Sequence, residues 1–164
     1  PLAACIEDLQ KETSYDEIIY LCPDGVTYNQ KLANALSLKG NLLMICGHYK
    51  GIDERIREKY VTMEISIGDY VLSGGEVAAL TLMDACIRLL PGVMGNVDTA
   101  GDESFTDPHL LEYPHYTRPA LFEGLEIPDV LRSGHHARIE LWRRQKAEEV
   151  TKTRRPDLWA KYKP

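Results

Sequence analysis

The sequence has 164 residues, 44% of them hydrophobic, and a formal net charge of −6, which suits one sizeable buried core with an appendage. Asp84 and Arg88 interrupt the longest apolar stretch well short of the roughly 18 residues a membrane span needs, and no secretory signal is visible, so the expectation is a soluble, cytoplasmic protein without a membrane partner. Cys5, Cys22, Cys46 and Cys86 stand far apart in apolar contexts, with no CxxC pair or histidine at ligand spacing, which points to reduced thiols and no metal site.

Taken in chain order, the first residue is Pro1 and a helical pattern (Leu2, Cys5, Ile6, Leu9) begins almost at once, which reads as a piece of a longer chain. EIIYLCP (17–23) and NLLMICG (41–47) are short apolar runs ending in Pro or Gly, as buried parallel strands do. Between them NQKLANALSLKG carries Leu32, Ala35, Leu36 and Leu38 at helical spacing and closes on Gly40. GIDERIREKY follows as a charged amphipathic helix, then the alternating stretch YVTMEISIGDYVL as a further strand. Strands alternating with helices predict an open α/β sheet, whose ligands bind at the carboxyl ends of the strands. Those ends read YLCPDG, CGHYKG and IGDYVLSGG.

SIGDYVLSGGE (66–76) brings Gly68, Gly74 and Gly75 directly before the most hydrophobic helix of the chain, predicted from about Val77 to Leu90. Glycines there let main chain approach a flat ligand and present its N–H and C=O groups. No GxGxxG or GxxxxGK[ST] motif accompanies them, so neither a dinucleotide nor a phosphate loop is indicated. The helix is apolar almost all round apart from Thr81, Asp84 and Arg88, so it must be covered by the core or by a second subunit. Arg88 either pairs with Asp84 four residues earlier or serves a site.

From Asn96 to about Ser133 periodicity is lost, and Pro108, Pro114, Pro119 and Pro128 make it a linker or a lid. Its centre, PHYTRP (114–119), offers groups that suit nucleic acid, and a rigid linker explains its prolines equally well. HHARIELWRRQKAEEV then opens a basic helix; from Arg132 onward ten lysines and arginines face four acids, near +6 against about −12 for the rest. A basic appendage on an acidic body fits a polyanion partner, or a helix charged only for solubility.

YLCPDG, CGHYKGIDER, SIGDYVLSGGE, LLPGV and PHYTRP, in this order and at these separations, resemble the bacterial tRNA (guanine-N1)-methyltransferases that modify the guanosine 3′ of the anticodon, tRNA position 37; the likeness runs from Pro1 to about Trp159. The resemblance implies a SPOUT-type α/β fold: a parallel sheet whose C-terminal segment threads into a trefoil knot, against the usual rule for connections, followed by a linker and a small helical module. In these terms residues 1–95 are the cofactor-binding domain without its N-terminal part, 96–133 a flexible linker and active-site lid, and 134–164 a basic helical tRNA-binding module. It further implies an obligate homodimer with active sites shared between subunits and S-adenosylmethionine held bent in the knot. Magnesium is a family expectation that no residue pattern supports.

Carried over by position, the cofactor site would take Tyr20, Leu21, Cys22 and Pro23 from the first strand end and Gly47 and Tyr49 from the second. Ser66, Ile67, Gly68, Asp69, Tyr70, Val71, Leu72, Gly74 and Gly75 would form the knotted loop around adenine. Arg88 would support the electron-rich guanine. The family's base is an Asp immediately before Ser-Phe; here Glu103 of GDESF holds that register and Asp102 stands one residue earlier, so both are candidates for removing the guanine ring proton. His115, Tyr116, Arg118, Arg143, Arg144, Lys146, Arg154 and Arg155 would hold the tRNA through phosphates and stacking. Lys50 departs from the family pattern, which has Glu there more often. The family's first sheet segment and Gly-rich stretch would precede Pro1, which leaves open a fragment that holds the cofactor without turning over. A related knotted methyltransferase acting on ribose or another RNA, and a non-catalytic RNA-binding or dimerisation module, stand as alternatives.

Overall fold

The computed structural model of the protein describes residues 1–94 and 103–162, and the chain divides into two compact units, Pro1–Gly95 and Asn96–Pro164. In the first unit the elements run α1 (Leu2–Glu12), β1 (Glu17–Thr27), α2 (Gln30–Ser37), β2 (Leu42–Cys46), α3 (Glu54–Tyr60), β3 (Met63–Ser66) and α4 (Glu76–Ile87). The three strands form a parallel sheet in the order β2-β1-β3. β1 is central, so it is buried on both faces, with Ile18, Ile19, Tyr20, Leu21 and Cys22 consecutively inside; that is why EIIYLC reads as an unbroken apolar run rather than an alternation.

Each face of the sheet has its own core. Ile19, Leu21 and Ile65 pack with Ala33 and Leu36 of α2 and Ala78, Ala79, Leu82 and Cys86 of α4. On the other face Ile18, Tyr20, Cys22 and Ile45 meet Ile6 of α1, with Ile56 and Tyr60 of α3 against them. Side-chain caps set the helix starts: Asn29 accepts from Leu32 N–H at 3.0 Å to begin α2, and Asp53 accepts from Arg55 N–H at 2.9 Å to begin α3. Asp16 accepts from Gly40 N–H at 2.6 Å and Asn41 N–H at 3.1 Å, pinning the turn that launches β2.

β1 extends past the predicted 17–23 because the ladder with β3 is broken and resumed. Ile65 faces both Leu21 and Val26, and the intervening residues are looped out. Gly25 presses main chain on main chain there: a Cβ on it would stand 2.5 Å from both Glu64 C and Ile65 N. The strand expected across 60–72 shrinks to Met63–Ser66, since beyond it the chain leaves the sheet, with the Ser66 hydroxyl bonded at 3.2 Å to both Gly68 C=O and Gly68 N–H.

In the second unit β4 (Leu121–Phe122) and β5 (Leu125–Glu126) form an antiparallel hairpin, followed by α5 (Asp129–Arg132), α6 (His136–Arg154) and α7 (Pro156–Trp159). Thr151 of α6 is fully buried; its hydroxyl donates to Ala147 C=O at 2.7 Å and accepts from Leu111 N–H at 2.9 Å, tying the proline-rich stretch to the helix. Among the described residues, no helix is long and apolar enough to cross a membrane.

Candidate cofactor cleft and nucleic-acid face

The middle of β1, the chain just past β2, the end of β3 and the loop before α4 enclose a cleft of about 290 Å³, close to the small end of ligand sites. Tyr20, Leu21, Cys22 and Pro23 form one wall, Gly47 and Tyr49 another, and Ser66, Ile67, Gly68, Tyr70, Val71, Leu72, Gly74 and Gly75 the third. These are the residues expected at the site, with Asp69 alone lying outside the lining. His48, Lys50, Gly51, Ile65, Ser73 and Ala78 join them. Most of these sat inside the quoted motifs, yet nothing in their type or spacing separated wall from filler.

Glycine at two positions follows from space. A Cβ on Gly75 would lie 2.8 Å from Cys46 Cα and 3.1 Å from Gly47 N, so only a bare backbone can pass, and that approach lets Gly75 N–H donate to Gly47 C=O at 3.0 Å. Gly47 in turn faces the Tyr20 ring, whose edge would be 3.3 Å from an added Cβ. On the same wall as Gly47, Tyr49 adopts the left-handed φ of +62, uncommon for a residue with a side chain, and that side chain is fully exposed.

Behind the β1 wall, Arg57 donates to Glu64 at 2.7 and 2.6 Å and to Asp24 at 2.7 Å while lying 5.5 Å from the Tyr20 ring centre. Its guanidinium holds both carboxyls below their usual range. Burial pushes the Tyr20 phenol up, and burial with the Asp24 hydrogen bond takes the Cys22 thiol up to about 12. The donor atoms of Cys22, Asp24 and Glu64 lie within 4.8 Å of one another. A protonated thiol beside two carboxylates that Arg57 already engages, Glu64 through both oxygens and Asp24 through one, is a poor fit for magnesium, which prefers an all-oxygen shell. On the β2 side His48 Nε2 meets Glu76 Oε1 at 2.6 Å, holding the Glu76 carboxyl below its usual range.

Arg88 closes α4, its N–H donating to Asp84 C=O at 3.2 Å. Asp102 lies outside the described residues. Glu103 lines a separate hollow within the second unit, beside Thr106, Tyr113, Glu140 and Arg143. Of the residues expected to meet RNA, Arg143 stacks 4.8 Å over Tyr113, Arg144 donates to Tyr162 at 3.0 Å, Lys146 pairs with Glu149 at 2.6 Å and Arg155 with Asp157 at 2.7 Å. His115 lies 2.9 Å from Glu112, and Tyr116 rests against Trp142 with ring centres 6.2 Å apart. Arg118 follows in the same stretch, and Arg154 ends α6.

Residues 1–161 match the family described as tRNA (Guanine-1)-methyltransferase TrmD. The chain is 58% identical over 161 residues to the tRNA (guanine-N(1)-)-methyltransferase of Chlorobaculum tepidum, covering 98% of this chain and 70% of that protein. Those of Chlorobium chlorochromatii and Flavobacterium psychrophilum are 59% and 56% identical over 158 residues, covering 96% of this chain and 68% and 70% of theirs. With a parallel α/β sheet and a glycine-walled cleft at its carboxyl edge, the chain belongs to the tRNA (Guanine-1)-methyltransferase family.

Proposed function

We propose that the protein transfers a methyl group from S-adenosylmethionine to N1 of guanosine at position 37 of tRNA, as a cytoplasmic homodimer of SPOUT type with a knotted first unit. The observation that carries this reading is the cleft itself: all three strands of the sheet, or the chain just past them, and a glycine-rich loop converge to present main chain and apolar side chains together. That is the donor set for an adenosyl group, whose ring needs a flat apolar slot and whose edges need peptide N–H and C=O groups. Ile65, Ile67 and Leu72 would supply the slot, and the backbone of 66–75 the edges.

When bound, S-adenosylmethionine supplies an electrophilic methyl carbon. The chain's own contribution would be to remove the N1 proton of guanine, which Glu103 or Asp102 would accept on a carboxylate oxygen, and to support the negative charge left on the ring, a role that the family resemblance suggests for Arg88. A positioned base of this kind is worth about 10²- to 10⁴-fold in rate. His115, Tyr116, Arg143, Arg144, Lys146 and Arg155 would trade their internal partners for phosphates and bases of the anticodon arm, and Arg118 and Arg154 would join them, with affinity falling as salt rises.

Pairing of two copies is supported by α4. Ala78, Ala79, Leu82 and Cys86 are buried, whereas Val77, Leu80, Met83 and Ile87 form an exposed apolar stripe on the other side. Such a stripe on the most hydrophobic helix suits a second copy of itself.

The test is methyl incorporation from labelled S-adenosylmethionine into transcripts carrying G37 or A37, with nucleoside analysis of the product. N1-methylguanosine from the G37 transcript alone is expected, and a ribose-methylated product would overturn the reading. Glu103→Gln assayed beside Asp102→Asn assigns the base: loss of turnover only in the second would move that role to Asp102.

A further inference from the structure

We infer that His48 and Glu76 act as a positioning pair that clasps the glycine wall of the cleft in its donor-binding arrangement. This rests on the methyl-donor reading of the cleft and adds to it two residues whose types gave no prior sign of a role.

The two side chains lie 28 positions apart in the chain, one in the loop just past β2 and the other in the first turn of α4, and they close at 2.6 Å. Around them the backbones are already laced together: His48 and Gly74 form an isolated antiparallel bridge, and Gly75 N–H donates to Gly47 C=O at 3.0 Å. The pair passes directly over Gly74. A Cβ there would lie 2.4 Å from Glu76 Oε2 and 2.7 Å from His48 Cε1, so the side-chain clasp and the missing side chain fit one another. On one side of the clasp the chain runs into Tyr49, with φ +62, and on the other into the loop of Leu72 and Ser73; all three line the cleft.

The side chains of His48 and Glu76 are 54% and 58% exposed, and ion pairs that open to solvent add little to global stability. Their value must therefore be sought in what they hold. If loss of the pair leaves the wall in its binding arrangement only about one tenth of the time, apparent donor affinity falls about tenfold while the fold is untouched. The roles are those of positioning residues; neither needs to touch the donor.

Isothermal calorimetry of the purified protein with S-adenosylmethionine and with S-adenosylhomocysteine tests this, each variant paired with a thermal melt. Glu76→Ala and His48→Ala should each weaken both ligands about tenfold; the double variant should be no weaker than either single one, because both remove the same contact. His48→Gln, which keeps an N–H donor on a chain of similar reach, should recover most of the affinity. Variants that bind like the wild type, losses that add in the double variant, or losses that track a fallen melting temperature would each overturn the clasp. A wild-type protein that binds neither ligand would instead bring down the methyl-donor reading, and the clasp with it.

Discussion

The two units hold themselves together by different means. In residues 1–94 the sheet has a packed layer on each face, with Ile6, Ile19, Leu36, Ile65 and Leu82 fully buried. In residues 103–162 the buried residues are Ala147, Thr151 and Tyr162, the hairpin strands are exposed, and charges pair locally along α6 as Arg144–Glu148 and Lys146–Glu149. A cleft whose walls are main chain needs the first kind of construction, because close packing passes on any displacement. A face proposed to meet phosphates tolerates the second, since exposed ion pairs cost little to exchange.

The largest expected effect breaks the first unit at its centre. Ile19→Ala removes a fully buried side chain from the middle strand and should cost about 2–5 kcal/mol, read as a lowered urea midpoint in far-ultraviolet circular dichroism. Both tryptophans, Trp142 and Trp159, lie in the second unit, so their emission should keep its midpoint. Coincident shifts of the two signals would erase the contrast.

Next come the glycines. Gly75→Ala drives a Cβ to 2.8 Å from Cys46 Cα, backbone against backbone, and overpacking of this kind costs about 1–3 kcal/mol; donor binding should fail with it. Gly124 has nothing within 4 Å but sits at φ +84, after Glu123 at φ +50, in the two-residue turn of the β4–β5 hairpin. Its requirement is conformational, so Gly124→Ala should cost about 1–2 kcal/mol and Gly124→Asn markedly less, because Asn tolerates a left-handed backbone. An equal cost for the Ala and Asn variants in the melt would show that space, not φ, governs there too.

Thr151→Val should cost about 1–3 kcal/mol. Its hydroxyl serves Leu111 N–H and Ala147 C=O at once in a fully buried position, and the isosteric valine leaves the Leu111 donor unmet. Tryptophan emission is the reporter, and an unchanged midpoint would mean that Leu111 finds water instead.

The same contrast explains what could be read from sequence. EIIYLC and NLLMIC are continuous apolar runs because β1 and β2 lie in a parallel sheet between helix layers, and the capped starts of α2 and α3 at Asn29 and Asp53 carry local signals. The motifs YLCP, CGHY and SIGDYVLSGG do meet at one cleft, apart from Asp69. What stayed hidden depends on long-range approach: the broken β1–β3 register, the Arg57 network with Glu64 and Asp24, and the His48–Glu76 pair arise from residues whose types are ordinary at their positions. In the second unit the hairpin escaped because its turn is Glu-Gly, without the Asn-Gly or Asp-Gly signature that marks such turns.

The smallest effect isolates the first unit chemically, since Cys5, Cys22, Cys46 and Cys86 all belong to it. Cys5 is exposed, whereas Cys22 is buried with its thiol pushed up to about 12. The reactive species is the thiolate, and an unfolded cysteine reaches it near pH 8.5. At pH 8 the native protein should therefore take up iodoacetamide at Cys5 quickly and at Cys22 only through opening of the unit, which peptide mass spectrometry resolves site by site. The sign for stability follows from the raised native value: between about pH 8.5 and 12 the unfolded chain has lost the Cys22 proton and the native one retains it, so rising pH favours unfolding. Cys22→Ala should flatten that part of the decline, seen as a smaller change in urea midpoint between pH 8 and pH 10 than in the wild type. Labelling of Cys22 as fast as Cys5 at pH 8 would mean that the core on this face of the sheet opens readily, and the first unit would then be no more tightly held than the second.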